Sequence, residues 1–213
     1  MRISFILSGE GTSDLNLVDH IEKILVEEGF SEVSGDAPDL SSFPVPVGRA
    51  VGDKLEVLAK LYPNTDVFFI HRDSDDVGVV QREEEIASAV RSLNLQRPVI
   101  PLIPVRQLET WLLTDLDAIK RVAGNTAYRG GFPFHPDFRR LENEKNAKAV
   151  LLESLCIASE AQGSRLKKFR KHFSSMRARL AIDLDPQGPI KDLPSYVHFR
   201  KSVASFARRK LNP

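Results

Sequence analysis

The chain reads as an α/β protein: a mostly parallel sheet flanked by helices, followed by a basic helical subdomain. Three observations lead there. Apolar runs of strand length alternate with segments of helical periodicity as far as residue 122. Two of those runs end directly in acidic, glycine-containing loops. The charge is also divided, with 13 Lys+Arg against 22 Asp+Glu in residues 1–138 and 17 against 7 in the remainder.

Taken in order, Ile3 to Leu7 is the first strand. Ser13 to Glu28 places Leu15, Leu17, Val18, Ile21, Ile24 and Leu25 at helical spacing, with Thr12 or Ser13 as N-cap and Gly29 as the stop. Residues 31–44, rich in Ser, Asp, Pro and Gly, read as a loop leading to a short extended piece near Val45–Val47. A helix from about Arg49 to Leu61 follows, then a strand over Asp66–Ile70. Val80–Leu93 is helical, with Ile86, Ala89, Val90 and Leu93 on one face. Pro98 to Ile103 reads as a strand, and Pro98, Pro101 and Pro104 suit an edge or strand ends better than a central position. One helix is expected from Val105 to about Val122, and Gly124–Asp137 as a long loop. Helices over Glu144–Ser159, Gly163–Ala181 and Tyr196–Lys210 complete the chain. Residues 1–122 thus form the sheet domain and 123–213 a basic helical extension packed on it.

With 42% hydrophobic and 28% charged residues, the composition is that of an ordinary globular protein. The single Cys156 excludes an internal disulfide and a thiolate metal cage, and its helical setting suits a buried structural role. The N-terminal apolar run is shorter than the core of a secretory signal, and no stretch reaches membrane-spanning length, so a cytoplasmic location without a membrane is expected. The basic C-terminal balance suits contact with a polyanion, and equally a solvated helix surface that offsets the acidic half.

The chemistry-bearing residues lie just after the strands. Glu10-Gly11-Thr12-Ser13-Asp14 joins a carboxylate and a flexible glycine to a helix start whose free N–H groups can face a phosphate. An ordinary capped strand-to-helix turn is the plainer reading. After the strand ending at Ile70, Asp73-Ser74-Asp75 places carboxylates at alternate positions, which in an extended stretch point the same way. Acidic side chains from two strand ends meeting in one crevice repel by roughly 1–4 kcal/mol per pair. A hard divalent cation with oxygen ligands relieves that repulsion, Mg²⁺ being the common one.

In this pattern Glu10-Gly11-x-x-Asp14, followed by Asp73-x-Asp75-x-x-Gly78, resembles the Toprim domain of topoisomerases, bacterial primases and overcoming-lysogenization-defect nucleases over about residues 1–115. The resemblance implies that Asp73 and Asp75 hold Mg²⁺ or Mn²⁺, while Glu10 acts as general acid or base or as a further ligand. A narrower likeness rests on Val105 to Asp115, on Lys145-Asn146-Ala147-Lys148 and on Leu193 to Phe199. That order is similar to a set of small bacterial Toprim-like proteins, which implies a place in phage defence or mobile elements beside an ATPase partner.

Several other residues bear on the site. Glu109 is a candidate catalytic residue and further metal ligand, or a plain surface glutamate. Trp111 reads as core. Arg72 and Arg106 can hold a phosphate bidentately or pair with nearby acids. Lys145 and Lys148 are candidate phosphate contacts. The run Arg165–Lys171, with Lys167, Lys168, Arg170 and Lys171 around Phe169, reads as a strip that tracks a nucleic-acid backbone. The five histidines show no zinc-type spacing, and His71 is either a proton carrier or strand-end packing.

The expectation is therefore a Mg²⁺- or Mn²⁺-dependent nuclease-type phosphodiesterase acting on DNA or RNA. It stands beside a non-catalytic or partner-activated Toprim-like regulatory module that binds nucleic acid. A haloacid-dehalogenase-type phosphatase is disfavoured, because it needs aspartate where Glu10 stands. Tyr62, Tyr128 and Tyr196 all lie outside the motifs, which disfavours a covalent tyrosine intermediate. Self-association is left open.

Overall fold

The structure, a computed structural model, describes residues 1–135 and 137–212. Four strands, β1 (Arg2–Ser8), β2 (Glu32–Asp36), β3 (Val67–His71) and β4 (Val99–Leu102), form one all-parallel sheet in the order β2-β1-β3-β4. The helices of the first half are α1 (Val18–Glu27), α2 (Val51–Leu61) and α3 (Val79–Ser92). The second half adds two short helices, α4 (Glu109–Leu112) and α5 (Leu116–Val122), then α6 (Phe138–Leu141) and α7 (Ala147–Ser159). It ends with α8 (Gly163–Lys171), α9 (Phe173–Ile182) and α10 (Pro194–Leu211). No described helix is long and apolar enough to cross a membrane.

Alternation along the strands divides the core into two layers. Ile3, Phe5, Leu7, Val67, Phe69, Ile100 and Leu102 face α1 and the C-terminal helices, where Trp111, Tyr196, Phe199 and Phe206 fill one continuous cluster. Ile6, Phe68 and Ile70 face the other way, onto Val51, Leu55, Leu58 and Ile86 of α2 and α3. Every residue of β3 is buried, as a central parallel strand covered on both faces requires. β4 lies at an edge, where Pro101 removes no ladder bond that a further strand would need. Trp111 is core, its Nε1 donating to Ser195 Oγ at 2.9 Å, and Cys156 is buried.

Four expectations about elements are corrected. Residues 32–36 form a strand, not a loop. Gly35 pairs with Phe5, and a Cβ there would stand 2.2 Å from the Phe5 ring, so the glycine that reads as a loop signal is what lets the ring cover β2. Val45–Val47 is not a strand. The helix expected over 105–122 is cut in two, because Thr114 Oγ1 donates to the Trp111 carbonyl and Asp115 caps a new helix by accepting from Ala118 N–H. Gly163–Ala181 is likewise two helices, separated where His172 N–H takes the carbonyl of Phe169 in a tighter turn.

β1 connects to β2 on one side and β3 lies on its other side. The chain therefore reverses its winding between β1 and β3, and the loops leaving their carboxyl ends diverge around a crevice.

Candidate active site at the carboxyl end of the sheet

Two strand-end loops build the site. After β1, the turn Gly9-Glu10-Gly11 enters a 3-10 helix over Thr12–Leu17. Asp14 folds back so that its Oδ2 accepts from Gly11 N–H at 3.0 Å, and Lys54 Nζ donates to the Gly9 carbonyl at 2.7 Å. Glu10 projects from this pinned turn onto Arg72, with Oε1 2.9 Å from Nη1.

After β3, the chain runs beside residues 104–106. Ser74 N–H donates to the Pro104 carbonyl, Asp75 N–H donates to the Arg106 carbonyl at 2.9 Å, and the buried Ser74 Oγ accepts from Arg106 N–H at 2.7 Å. Asp73 Oδ1 accepts from Leu108 N–H at 2.9 Å, which ties it to the start of α4. Asp75 has φ 45° and Gly78 φ 94°, so the chain turns sharply within the acidic loop. The two aspartates are therefore not alternate residues of an extended stretch. The left-handed residue between Ser74 and Asp76 sets their relative direction instead.

Beneath these loops lies a buried charged network. His71 has no exposed surface, and its Nδ1 is 3.3 Å from Asp14 Oδ2 while Nε2 is 3.4 Å from Asp73 Oδ1. Neither contact has the geometry of a well-formed hydrogen bond, so the attraction is chiefly ionic. Burial alone would lower the proton affinity of the ring, but the two carboxylates overcome it and push the imidazole up to about 10. It is a cation at neutral pH. Burial would raise Asp14, yet His71, Arg177 and the Gly11 N–H together hold its carboxyl well below the usual range. Arg177 donates from Nε to Glu109 Oε1 at 2.7 Å and from Nη2 to Asp14 Oδ1 at 2.9 Å, and it also contacts Ser13 Oγ. Glu10 behaves differently. Burial pushes its carboxyl up, Arg72 opposes, and the nearby Asp73 and Asp75 push it further up.

Among the expected site residues, Glu10, Asp73 and Asp75 all lie in the loops that leave the carboxyl ends of β1 and β3, and Arg72 links the two loops through its contact with Glu10. Asp75 is half exposed and lies 3.5 Å from Arg82, which also donates to the Asp73 carbonyl and to Glu85. Glu109 is not the surface glutamate that was one of its two readings: it is buried, with Oε1 accepting from Arg177 Nε. Arg106, in a left-handed conformation, pairs with the exposed Asp76 at the rim. Lys145 just before α7 and Lys148 in its first turn are exposed, and Lys167, Lys168, Arg170 and Lys171 are exposed on α8. Asp14, Lys54, Arg82 and Arg177 were not expected in their present roles. Nothing in the linear order separates Arg177 from its many basic neighbours, since it reaches the site only because α9 packs on the Thr12–Leu17 turn.

A hard divalent ion fits this donor set in kind. Glu10 has its proton affinity raised first by burial and then by Asp73 and Asp75, Asp75 is accessible, and only one Asp73 oxygen is engaged by Leu108 and His71. Among the described residues, no three His, Cys, Asp or Glu side chains are gathered as a ready cage. An ion there competes with Arg72 for Glu10. Beside Glu10 and Arg72 a cleft of about 540 Å³ opens toward the segment 38–49. Compared with protein-family models, curated proteins and solved structures, the chain matches none.

Proposed function

We propose that the chain is a divalent-metal-dependent phosphodiesterase acting on nucleic acid, of the Toprim type its sequence resembles. One observation supports this reading: the adjacent parallel strands β1 and β3 deliver Glu10 and the Asp73–Asp75 loop to the same end of the sheet, where Arg72 of the second loop meets Glu10 of the first at 2.9 Å. The residues to hold Mg²⁺ or Mn²⁺ are Asp73 and Asp75 with Glu10. Bound there, the ion supplies positive charge for the negative charge that develops on a phosphodiester under attack.

The chain's own groups supply the rest. His71 and the Leu108 N–H hold Asp73 in orientation from below, as outer partners of a ligand commonly do. Glu10 has two alternative roles: it completes the ligand set as a carboxylate, or, left off the ion with its carboxyl pushed up, it passes a proton to a leaving oxygen. Arg72, released from Glu10, offers a planar fork for a phosphate. The exposed basic residues of α8 lie on the helix preceding α9, from which Arg177 reaches the site, and suit backbone tracking.

A second reading has its own support. Arg72 on Glu10 and Arg82 near Asp75 occupy the carboxylates, as in a site that a partner must rearrange or that only binds. An ATPase partner in phage defence is the setting this reading proposes. Cleavage of single- and double-stranded DNA and RNA with Mg²⁺, Mn²⁺ or EDTA tests the first reading, with Glu10→Gln and Asp73→Asn as controls. Metal-dependent cleavage lost in both variants is expected, and equal cleavage by all three proteins removes the proposal. Calorimetry that detects no divalent binding by the isolated chain favours the second reading.

A further inference from the structure

We propose that the cleft beside Glu10 takes one nucleotide of a single-stranded nucleic acid, its phosphate on Arg49, Lys54 and Arg72 and its base on Leu40, Phe43 and Val47. This deepens the phosphodiesterase reading and rests on it only for the chemistry, not for the binding.

The cleft has two kinds of lining. Arg49, Lys54 and Arg72 share both the cleft and the narrow recess next to it, and Glu10 and Asp39 are the acids of the lining. Asp39 is turned onto its own loop, accepting from Ser41 N–H at 3.0 Å and Ser41 Oγ at 2.6 Å. Arg72 is already shared between Glu10 and Glu85, whereas among the described residues neither Arg49 nor Lys54 is in a salt bridge, so these two are the cations first offered to a phosphate. Of the apolar lining, Leu40, Phe43 and Val47 are only partly covered by protein. Apolar lining with a few convergent charged groups, in a volume of about 540 Å³, suits a small ligand with one anionic group and one flat apolar face.

The segment that forms this wall is built rather than incidental. Residues 37–50 join β2 to α2, where roughly 2–6 residues suffice in compact α/β units. A Cβ on Gly48 would stand 1.9 Å from Asp53 Oδ2, so the end of the segment is packed directly on the first turn of α2. Lys54, one residue further, is held over the β1 turn by its bond to the Gly9 carbonyl. A volume of about 540 Å³ matches one base with its phosphate, and on that match an unpaired strand is assigned. Recognition by basic groups and an aromatic face is the usual mode for such strands.

Nuclear magnetic resonance titration of the full chain in EDTA tests this, with adenosine 5′-monophosphate, adenosine and inorganic phosphate as separate probes. The nucleotide is expected to bind roughly tenfold or more tightly than either part. Lys54→Met and Phe43→Ala are each expected to weaken nucleotide binding roughly tenfold, with folding checked by circular dichroism. Lys60→Ala, on the exposed side of the same helix, is expected to bind as the wild type does. Nucleotide binding no tighter than phosphate binding, or undiminished in both variants, overturns the inference. Mn²⁺-dependent cleavage of a single-stranded oligonucleotide reads the other claim. Nucleotide binding without cleavage keeps the cleft and rejects the enzyme. Cleavage lost in Glu10→Gln, with nucleotide binding unaffected by Lys54→Met and Phe43→Ala, does the reverse.

Discussion

Arg177 Nε donates to Glu109 Oε1 at 2.7 Å across 68 positions of sequence, and both side chains are almost wholly buried. The same guanidinium reaches Asp14, so a residue of the C-terminal helices neutralises two acids beneath the candidate site. Removing one partner of a buried charge group leaves the others uncompensated. Arg177→Met is therefore expected to destabilise the fold by about 3 kcal/mol in urea denaturation. Arg177→Met combined with Glu109→Gln should recover part of that loss. A change within about 0.5 kcal/mol for the single variant would show that the network contributes nothing.

The buried imidazolium gives stability a defined pH dependence. The folded-state pKa of His71 is raised from 6.5 to about 10, so its contribution is complete below 6.5 and is lost as pH rises through the folded value. Asp14 acts in the opposite sense, contributing above its ordinary value of 3.8 and losing that contribution as pH falls toward its depressed one. The stability of wild type minus that of His71→Gln should fall by on the order of 2–4 kcal/mol between pH of about 6 and 10. A flat difference would remove the imidazolium from the network.

Glu10 is the acid the fold does least to accommodate. Its raised proton affinity means that ionisation costs more in the folded chain than in the unfolded one, so its charge lowers stability as pH rises. Glu10→Gln in metal-free buffer should melt at or about 2 °C above the wild type. Mn²⁺ should then raise the melting temperature of the wild type and leave that of the variant unchanged. A lower metal-free melting temperature in Glu10→Gln would instead make the Arg72 pair a net stabiliser.

Salt dependence tests the basic helix. If Lys167, Lys168, Arg170 and Lys171 of α8 each neutralise a phosphate, the slope of log K against log salt should flatten by roughly 0.7 for each one replaced by alanine on single strands. A slope unchanged in the fourfold variant assigns these residues to a solvated face.

Much of the site was legible in the linear order because short apolar runs end abruptly in acid and glycine. Ile3–Leu7 before Glu10 and Val67–Ile70 before Asp73 need no tertiary information to be read as strand ends with loops on the same side. Pro98, Pro101 and Pro104 likewise set β4 apart from a central strand. The break at Thr114-Asp115 was hidden, because side-chain hydroxyl and carboxylate bonds that end a helix compete with an apolar periodicity running straight through them, and the tighter turn at His172 is made by backbone alone. β2 was hidden for another reason: its glycine is a loop signal until the Phe5 ring above it is known.

By itself, then, the sequence determined a parallel α/β fold and three carboxylates delivered to one end of it, since hydrophobic period and strand-end chemistry are local properties. Tertiary packing alone decided what those carboxylates meet. Placing Arg72 on Glu10, His71 between Asp14 and Asp73, and Arg177 over Glu109 depends on residues up to 68 positions apart sharing one low-dielectric interior. There each buried charge must find a partner, and no pattern along the chain says which one it will be.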